Sequence, residues 1–290
     1  MSILINKKTR VVVQDILSKR GSFHAQLSLQ YGTQIVAGVN VGHGGKQHVG
    51  VPLFNTVHEA VDKTEVDASV IYVPPAMAAD AIIEAADAGI KLIVCVTEGI
   101  PVHDMLRVKV VLSRYDTRLI GPNSPGIITP GECLMGVMPA NAYQPGRIGI
   151  LSRSGTLIYE AALQTTQCEL GQSTCVAIGA DPVHGMSFVD CLALFEADRK
   201  TKGIILMGEM GGYAEEDAAA FIKATVRKPV IAYVAGTSVA RPVEYGHAYS
   251  LVSQNKGTAV GKCSALEFAG VKIVHSITDI GSTMLNLFEG

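Results

Sequence analysis

Two successive α/β domains are what this sequence predicts, on three observations. Short apolar, β-branched runs alternate with helix-length stretches along nearly the whole chain, the rhythm of parallel strands joined by crossover helices. The 290 residues are 48% hydrophobic and only 17% charged, with 30 glycines, which suits strands buried on both faces and joined by tight turns. The rhythm breaks once, at Gly121-Pro122-Asn123-Ser124-Pro125-Gly126, and then restarts. The length is enough for two domains with real cores.

In the first half, the β-branched run at 11–14 predicts a strand, a loop follows over 15–22, and a helix is expected over 23–31. A second strand is expected over 34–39. It leads into a glycine-rich loop, Asn40-Val41-Gly42-His43-Gly44-Gly45, whose glycines let a ligand approach the backbone. A strand at 68–73, a helix at 76–88, a strand at 91–96, a helix at 102–115 and a strand at 118–120 complete a doubly wound sheet. Residues 127–146 have prolines, glycines and little periodicity, so they read as a connector, with the domain boundary near Gly121.

The second half predicts strands at 147–151, 173–178, 203–207, 229–234 and 271–274. Helices are expected up to 167 and over 187–195, 214–226 and 258–269, with a last amphipathic helix. This is a second parallel α/β domain, of flavodoxin-like type.

Composition excludes several classes. The formal net charge of −2 supplies no basic face for nucleic acid. No apolar run reaches the roughly 18 residues that a membrane span needs. The N-terminus, Met1-Ser2-Ile3-Leu4-Ile5-Asn6-Lys7-Lys8, turns polar at once and shows no signal or transit pattern. Six cysteines are scattered without a Cys-x-x-Cys pair and read as buried small hydrophobes. A reducing compartment is expected, the cytoplasm or the mitochondrial matrix. No metal-ligand spacing is present.

The candidate chemistry clusters in loops at strand ends. His247 follows the expected strand at 229–234, on a loop where open α/β sheets place ligands. A neutral imidazole there can attack phosphorus, or serve only as a hydrogen-bonding group. Ser152-Arg153-Ser154-Gly155-Thr156 joins a strand to a helix, so free amides and the helix dipole suit a phosphate, with Arg153 adding charge. The plainer reading is a helix cap by Ser154. Glu209, between glycines at a strand end, can hold one nitrogen of His247 and make the other more nucleophilic; Glu244 is a second candidate. Tyr159 either reaches a substrate carboxylate or packs. Val96-Thr97-Glu98-Gly99 ends a strand at the edge where a nucleotide would lie, or is a turn with Thr97 as a cap.

In this order, these pieces resemble the α subunit of succinyl-CoA synthetase (succinate–CoA ligase) over essentially the whole chain. The resemblance rests on Pro52-Leu53-Phe54-Asn55-Thr56-Val57, Thr97-Glu98-Gly99-Ile100-Pro101, Gly121-Pro122-Asn123, Thr129-Pro130-Gly131-Glu132-Cys133, Ser152-Arg153-Ser154-Gly155-Thr156-Leu157, Gly208-Glu209, Gly246-His247-Ala248 and Lys256-Gly257-Thr258-Ala259. It implies a Rossmann-like CoA-binding domain over 1–121 and a flavodoxin-like ligase domain over 122–290 that carries a phosphohistidine loop. It also implies a partner β subunit, in an αβ or α2β2 assembly, that binds ATP or GTP with Mg2+. His247 falls at the phosphorylated histidine, Glu209 at its carboxylate partner and Tyr159 at a substrate-binding position. Ser154, Gly155 and Thr156 fall on the phosphate-binding helix. CoA contacts are implied at Ser18, Lys19, Arg20, His43, Val96, Thr97 and Glu98. The implied reaction passes phosphate from nucleotide to histidine to succinate, and CoA then displaces it.

The sequence departs from the family at these sites. The family's first loop reads Gln-Gly-x-Thr-Gly-x-x-Gly; here it is Gln14-Asp15-Ile16-Leu17-Ser18-Lys19-Arg20-Gly21, which places an aspartate near the phosphate path with Lys19 and Arg20 to offset it. The second loop carries Asn40, Val41 and His43 where the family has threonine, proline and lysine. After the histidine come Ala248, Tyr249 and Ser250 instead of Ala-Gly-Ala. These changes leave a second reading open: a diverged paralogue with lost or altered CoA chemistry, or a ligase for a related acid such as malate.

Overall fold

The structure is a computed structural model and describes residues 2–237 and 257–289. The chain forms two compact units. The N-terminal unit takes residues 4–140 with 183–186, and the C-terminal unit takes 141–182 and the chain from Ser187 onward, with Ser2 and Ile3.

The N-terminal unit contains β1 (Arg10–Gln14), α1 (Lys19–Tyr31), β2 (Gln34–Val39), β3 (Gln47–His48), β4 (Val51–Phe54), α2 (Val57–Lys63), β5 (Ala68–Ile71), α3 (Pro75–Asp87), β6 (Leu92–Cys95), α4 (Val102–Leu112), β7 (Arg118–Ile120), β8 (Gly126–Thr129) and β9 (Cys133–Gly136). Its main sheet has the order β3-β4-β2-β1-β5-β6-β7, parallel except for β3. The chain crosses to one side of β1 and then to the other, so the order reverses between β1 and β5. The crevice outside the carboxyl ends of those strands is where such sheets bind ligands. Near-continuous β-branched runs form the strands because both faces are covered; Val12, Ala37, Ile71, Ile82 and Ile93 are fully buried in one core.

Three expectations change here. Helix α1 starts at Lys19, not at Phe23, because the Ser18 hydroxyl caps it by accepting the Gly21 N–H at 3.0 Å. The stretch after the second loop holds β3, β4 and α2. Of these, α2 has a sequence signal at Thr56, whose hydroxyl accepts the Glu59 N–H, a threonine followed three residues later by glutamate. The stretch at 127–146, expected as a connector without regular structure, holds the antiparallel hairpin β8–β9, with Gly126 opposite Gly136 and Thr129 opposite Cys133. Gly126 and Gly136 face each other so closely that a Cβ on either would lie about 2 Å from the opposing backbone (2.0 and 2.2 Å).

The C-terminal unit contains β10 (Pro145–Ser152), α5 (Leu157–Gln167), β11 (Gln172–Ala177), α6 (Phe188–Ala197), β12 (Gly203–Glu209), α7 (Ala214–Thr225), β13 (Val230–Ala235), α8 (Ala259–Phe268), β14 (Lys272–Ile273) and α9 (Ile280–Glu289). Its parallel strands run in the order β14-β13-β12-β10-β11, the flavodoxin-like order, with the reversal between β10 and β12. Ile150, Leu151, Val176, Ile205, Leu206 and Ile231 are completely buried along it. Phe195 packs on the sheet where β10 has no side chain: a Cβ on Gly149 would sit 2.6 Å from its ring. No helix among the described residues is long and apolar enough to cross a membrane.

Candidate active site

The sheet order of the C-terminal unit brings its candidate residues to one place. The turn after β10 carries Ser154, Gly155 and Thr156, and the turn after β12 carries Glu209 to Gly212. β10 and β12 pair directly, from Ile148 opposite Gly203 to Ser152 opposite Met207, so the two turns are neighbours at the switch point. β13 pairs with the other side of β12 and ends beside it, with Ala235 opposite Glu209. His247, Glu244, Tyr249 and Ser250 lie outside the described residues. The described chain on either side meets the same turn: a Cβ on Gly236 would lie 3.1 Å from Met210 Sδ, and Gly257 O accepts the Gly211 N–H at 2.8 Å.

At the start of α5 the helix cap position is Thr156, which makes no side-chain capping bond; Ser154 Oγ accepts the Leu157 N–H at 3.3 Å instead. Ser152 Oγ donates to Ser154 O at 2.7 Å and holds the turn. Ser154 and Gly155 are half-buried and Thr156 is exposed, so the first-turn amides of an eleven-residue helix open on the switch point. Tyr159 is half-buried two residues into α5, and burial pushes its phenol pKa up.

Arg153 does not add an exposed charge to this turn. It is only 6% exposed. Its Nη1 donates to Gly211 O at 2.9 Å and lies 3.7 Å from Glu215 Oε1, and its Nη2 lies 3.5 Å from Glu209 Oε1. Two residues that sequence reasoning missed complete the group. Glu215, in the first turn of α7, is fully buried and accepts the Glu209 N–H through Oε1 at 3.0 Å. Lys262, in α8, is also fully buried; it pairs with Glu215 Oε2, donates to Gly211 O at 2.7 Å and lies 3.9 Å from Glu216 Oε2. Burial pushes the Glu216 carboxyl pKa up. Gly208 makes room for this arrangement, since a Cβ there would meet Glu215 Cγ at 2.8 Å. Lys262 stands on the buried stripe Ala259, Lys262, Leu266, and a charge on an apolar stripe was the available signal.

In the N-terminal unit the expected CoA-contacting loops share the carboxyl edge of one sheet. Asp15 to Ser18 follows β1, residues 40–45 follow β2, and Val96, Thr97 and Glu98 follow β6. Ser18 is engaged in the fold, donating to Asp15 O at 2.8 Å while it caps α1. Lys19 and Arg20 are exposed in the first turn of α1. Burial, with the charge of Arg20 behind it, holds the half-buried His24 imidazole below its usual pKa. His43 is half-buried, and its N–H donates to Asn40 O. The amides of Gly42 and Gly44 both donate to Asn55 Oδ1, at 2.9 and 3.1 Å, and that of Gly45 to Leu53 O at 3.0 Å. Those three glycine amides are therefore already engaged by the fold, and the first turn of α1 with Lys19 and Arg20 is the better place for an anion. Val96 and Thr97 are buried and Glu98 is exposed. Thr97 is not a helix cap: its hydroxyl donates to Val73 O at 2.6 Å, and α4 begins after Pro101. Among the described residues no group of three or more side chains is arranged to hold a metal ion.

Known proteins match both units. The family profile for the CoA binding domain matches residues 6–99 and that for CoA-ligase matches residues 151–272. The succinate–CoA ligase [ADP-forming] subunit alpha of Aquifex aeolicus is 51% identical over 291 aligned positions, covering 100% of this chain and 95% of that protein. The protein of the same name from Staphylococcus aureus (strain Mu50) is 48% identical, covering 98% and 94%. Among solved structures, an ATP citrate lyase from Methanothrix soehngenii in complex with citrate and coenzyme A superposes with a TM-score of 0.89 at 24% identity. It covers 99% of this chain, which spans 50% of that one, and the likeness is one of fold. A dinucleotide-forming acetyl-coenzyme A synthetase from Ca. Korarchaeum cryptofilum gives a TM-score of 0.75, also at 24% identity. With a CoA binding domain, a CoA-ligase domain and about half its residues shared with full-length relatives, the chain belongs to the succinate–CoA ligase α-subunit family.

Proposed function

We propose that this chain is the α subunit of a nucleotide-dependent succinate–CoA ligase, an acid–thiol ligase that forms succinyl-CoA reversibly, as in the tricarboxylic acid cycle. Its partner β subunit holds ATP or GTP with Mg2+, in an αβ or α2β2 assembly. Neutral His247 attacks the γ-phosphorus, a P–N bond forms and the nucleoside diphosphate leaves. Glu209 accepts a hydrogen bond from the other ring nitrogen and so fixes the reactive tautomer. The phosphoryl group rests on the amides at the start of α5, at Ser154, Gly155 and Thr156. A succinate carboxylate oxygen then takes it, breaking the P–N bond, with Tyr159 beside the acid. The CoA sulfur attacks the acyl carbon and inorganic phosphate departs. CoA lies against Ser18, Lys19, Arg20, His43, Val96, Thr97 and Glu98.

The observation that carries the phosphoryl-transfer reading is the pairing of β10 with β12. It sets the α5 turn and Glu209 side by side, with Arg153 Nη2 3.5 Å from Glu209 Oε1. The test assembles the chain with a β subunit and γ-labelled nucleotide. Acid-labile label is expected on the wild type, none on His247→Ala, and discharge when succinate and CoA are both supplied. Label that persists in His247→Ala defeats the histidine assignment, and label that never discharges defeats the ligase reading in favour of a diverged paralogue.

A further inference from the structure

Four charged residues, none more than 9% exposed, meet behind the candidate site: Arg153, Glu209, Glu215 and Lys262. Two carboxylates and two cations balance, which is the condition for burying them together. Their contacts close a ring. Glu209 faces Arg153, Arg153 donates to Gly211 O, Lys262 donates to the same oxygen, Lys262 pairs with Glu215, and Glu215 accepts the Glu209 N–H. Five stretches of chain are tied by it: the turn before α5, the end of β12, the Gly211 turn, the first turn of α7 and the face of α8 turned to the core.

The ring grips Glu209 at both ends. Its backbone amide is held by Glu215 and its carboxylate faces Arg153, whose other terminal nitrogen is fixed on Gly211 O. Gly211 in turn donates its N–H to Gly257, where the described chain resumes. A carboxylate that orients a reacting imidazole must itself be held, and buried hydrogen-bonded charges on rigid elements hold it. A ring built only for stability would not need four buried charges, since apolar side chains of the same volume often serve as well or better.

We propose that Glu215 and Lys262 are positioning residues for phosphoryl transfer, acting through Glu209 and the Gly211 turn. The inference rests on the phosphohistidine reading above and adds to it two residues outside the expected site.

The test uses the chain assembled with its β subunit and single-turnover phosphorylation by γ-labelled nucleotide. Removing one charge alone strands its partner, so the informative variant is the double one, Glu215→Gln/Lys262→Met. It keeps an acceptor for the Glu209 N–H and leaves Arg153 balanced against Glu209. The expected result is a phosphorylation rate constant lowered roughly tenfold or more at full labelling amplitude, with the KM for CoA unchanged. Lys262→Arg restores much of the rate. In a Glu209→Gln background the double change adds little, because the ring acts through that carboxylate. A rate constant within twofold of wild type, or a lowered amplitude with an unchanged rate constant, overturns the positioning role and leaves the phosphohistidine reading standing. A wild-type complex that takes no label overturns both.

Discussion

Asn40 holds Asp15. From the end of β2 its Nδ2 donates to Asp15 Oδ1 at 3.0 Å, and its Oδ1 accepts the Leu17 N–H at 3.0 Å. Asp15 sits at φ 65, in the left-handed region that glycine enters freely and that aspartate tolerates through local hydrogen bonds. Each of the two residues makes sense of the other. The aspartate occupies a glycine-like backbone position, and its carboxylate, which from sequence alone looked adverse to phosphate, is engaged by Asn40. Glycine at 21 has a steric reason: a Cβ there would lie 2.1 Å from Asp15 O.

Asp15→Gly is therefore expected to leave the loop in place, with CoA affinity equal to or above that of the wild type. Asn40→Ala removes two hydrogen bonds from the loop and strands the Leu17 amide, at a cost of about 1–3 kcal/mol. It should raise the Kd for CoA while leaving His247 phosphorylation unchanged. Calorimetric CoA titration and thermal melts of both variants check this. Tighter CoA binding by Asn40→Ala would show that the pair obstructs the site.

Glu209→Gln keeps an acceptor oxygen but removes the charge that would stabilise an imidazolium or orient the ring. Phosphorylation of the assembled enzyme is expected to slow about a hundredfold, within the span of general acid–base effects. Rapid quench with γ-labelled nucleotide measures it, and an unchanged rate would shift the role to Glu244.

Hydrogen bonds from Arg10 hold the Asp67 carboxyl below the usual carboxylate range. Folding then favours the ionised form. The resulting stabilisation is fully present above the ordinary carboxylate value near 4 and is lost as pH falls through the lowered folded value. Arg10→Met should lower Tm at neutral pH, and the gap to wild type should close as both are melted at successively lower pH below about 4. A gap that stays constant into that range would mean the arginine acts by packing alone.

The parallel strands and most long helices were legible because periodicity and composition act locally. An apolar run such as Ile204 to Met207, fully buried, has few other uses. The turn at Ser152 to Thr156 and Glu209 at a strand end were legible for the same reason, as polar residues at the close of such runs. The short elements were not: β3 spans two residues and β4 four, too few for a period, and each depends on a strand distant in sequence.

By itself the sequence determined the class of the fold, the order of its longer elements, the family resemblance and which strands end in polar residues, since these follow from local pattern and chemistry. Only the tertiary structure decided which polar groups meet. Whether Arg153 faced a ligand or the interior depended on α7 and α8 converging on β12, where Glu215 and Lys262 supply its partners. Whether Asp15 was adverse or accommodated depended on Asn40, which lies twenty-five residues away in sequence. Hydrogen bonds and buried ion pairs act only over a few ångströms, and the distances between these side chains are set by strand order and helix packing, which no local stretch of sequence contains.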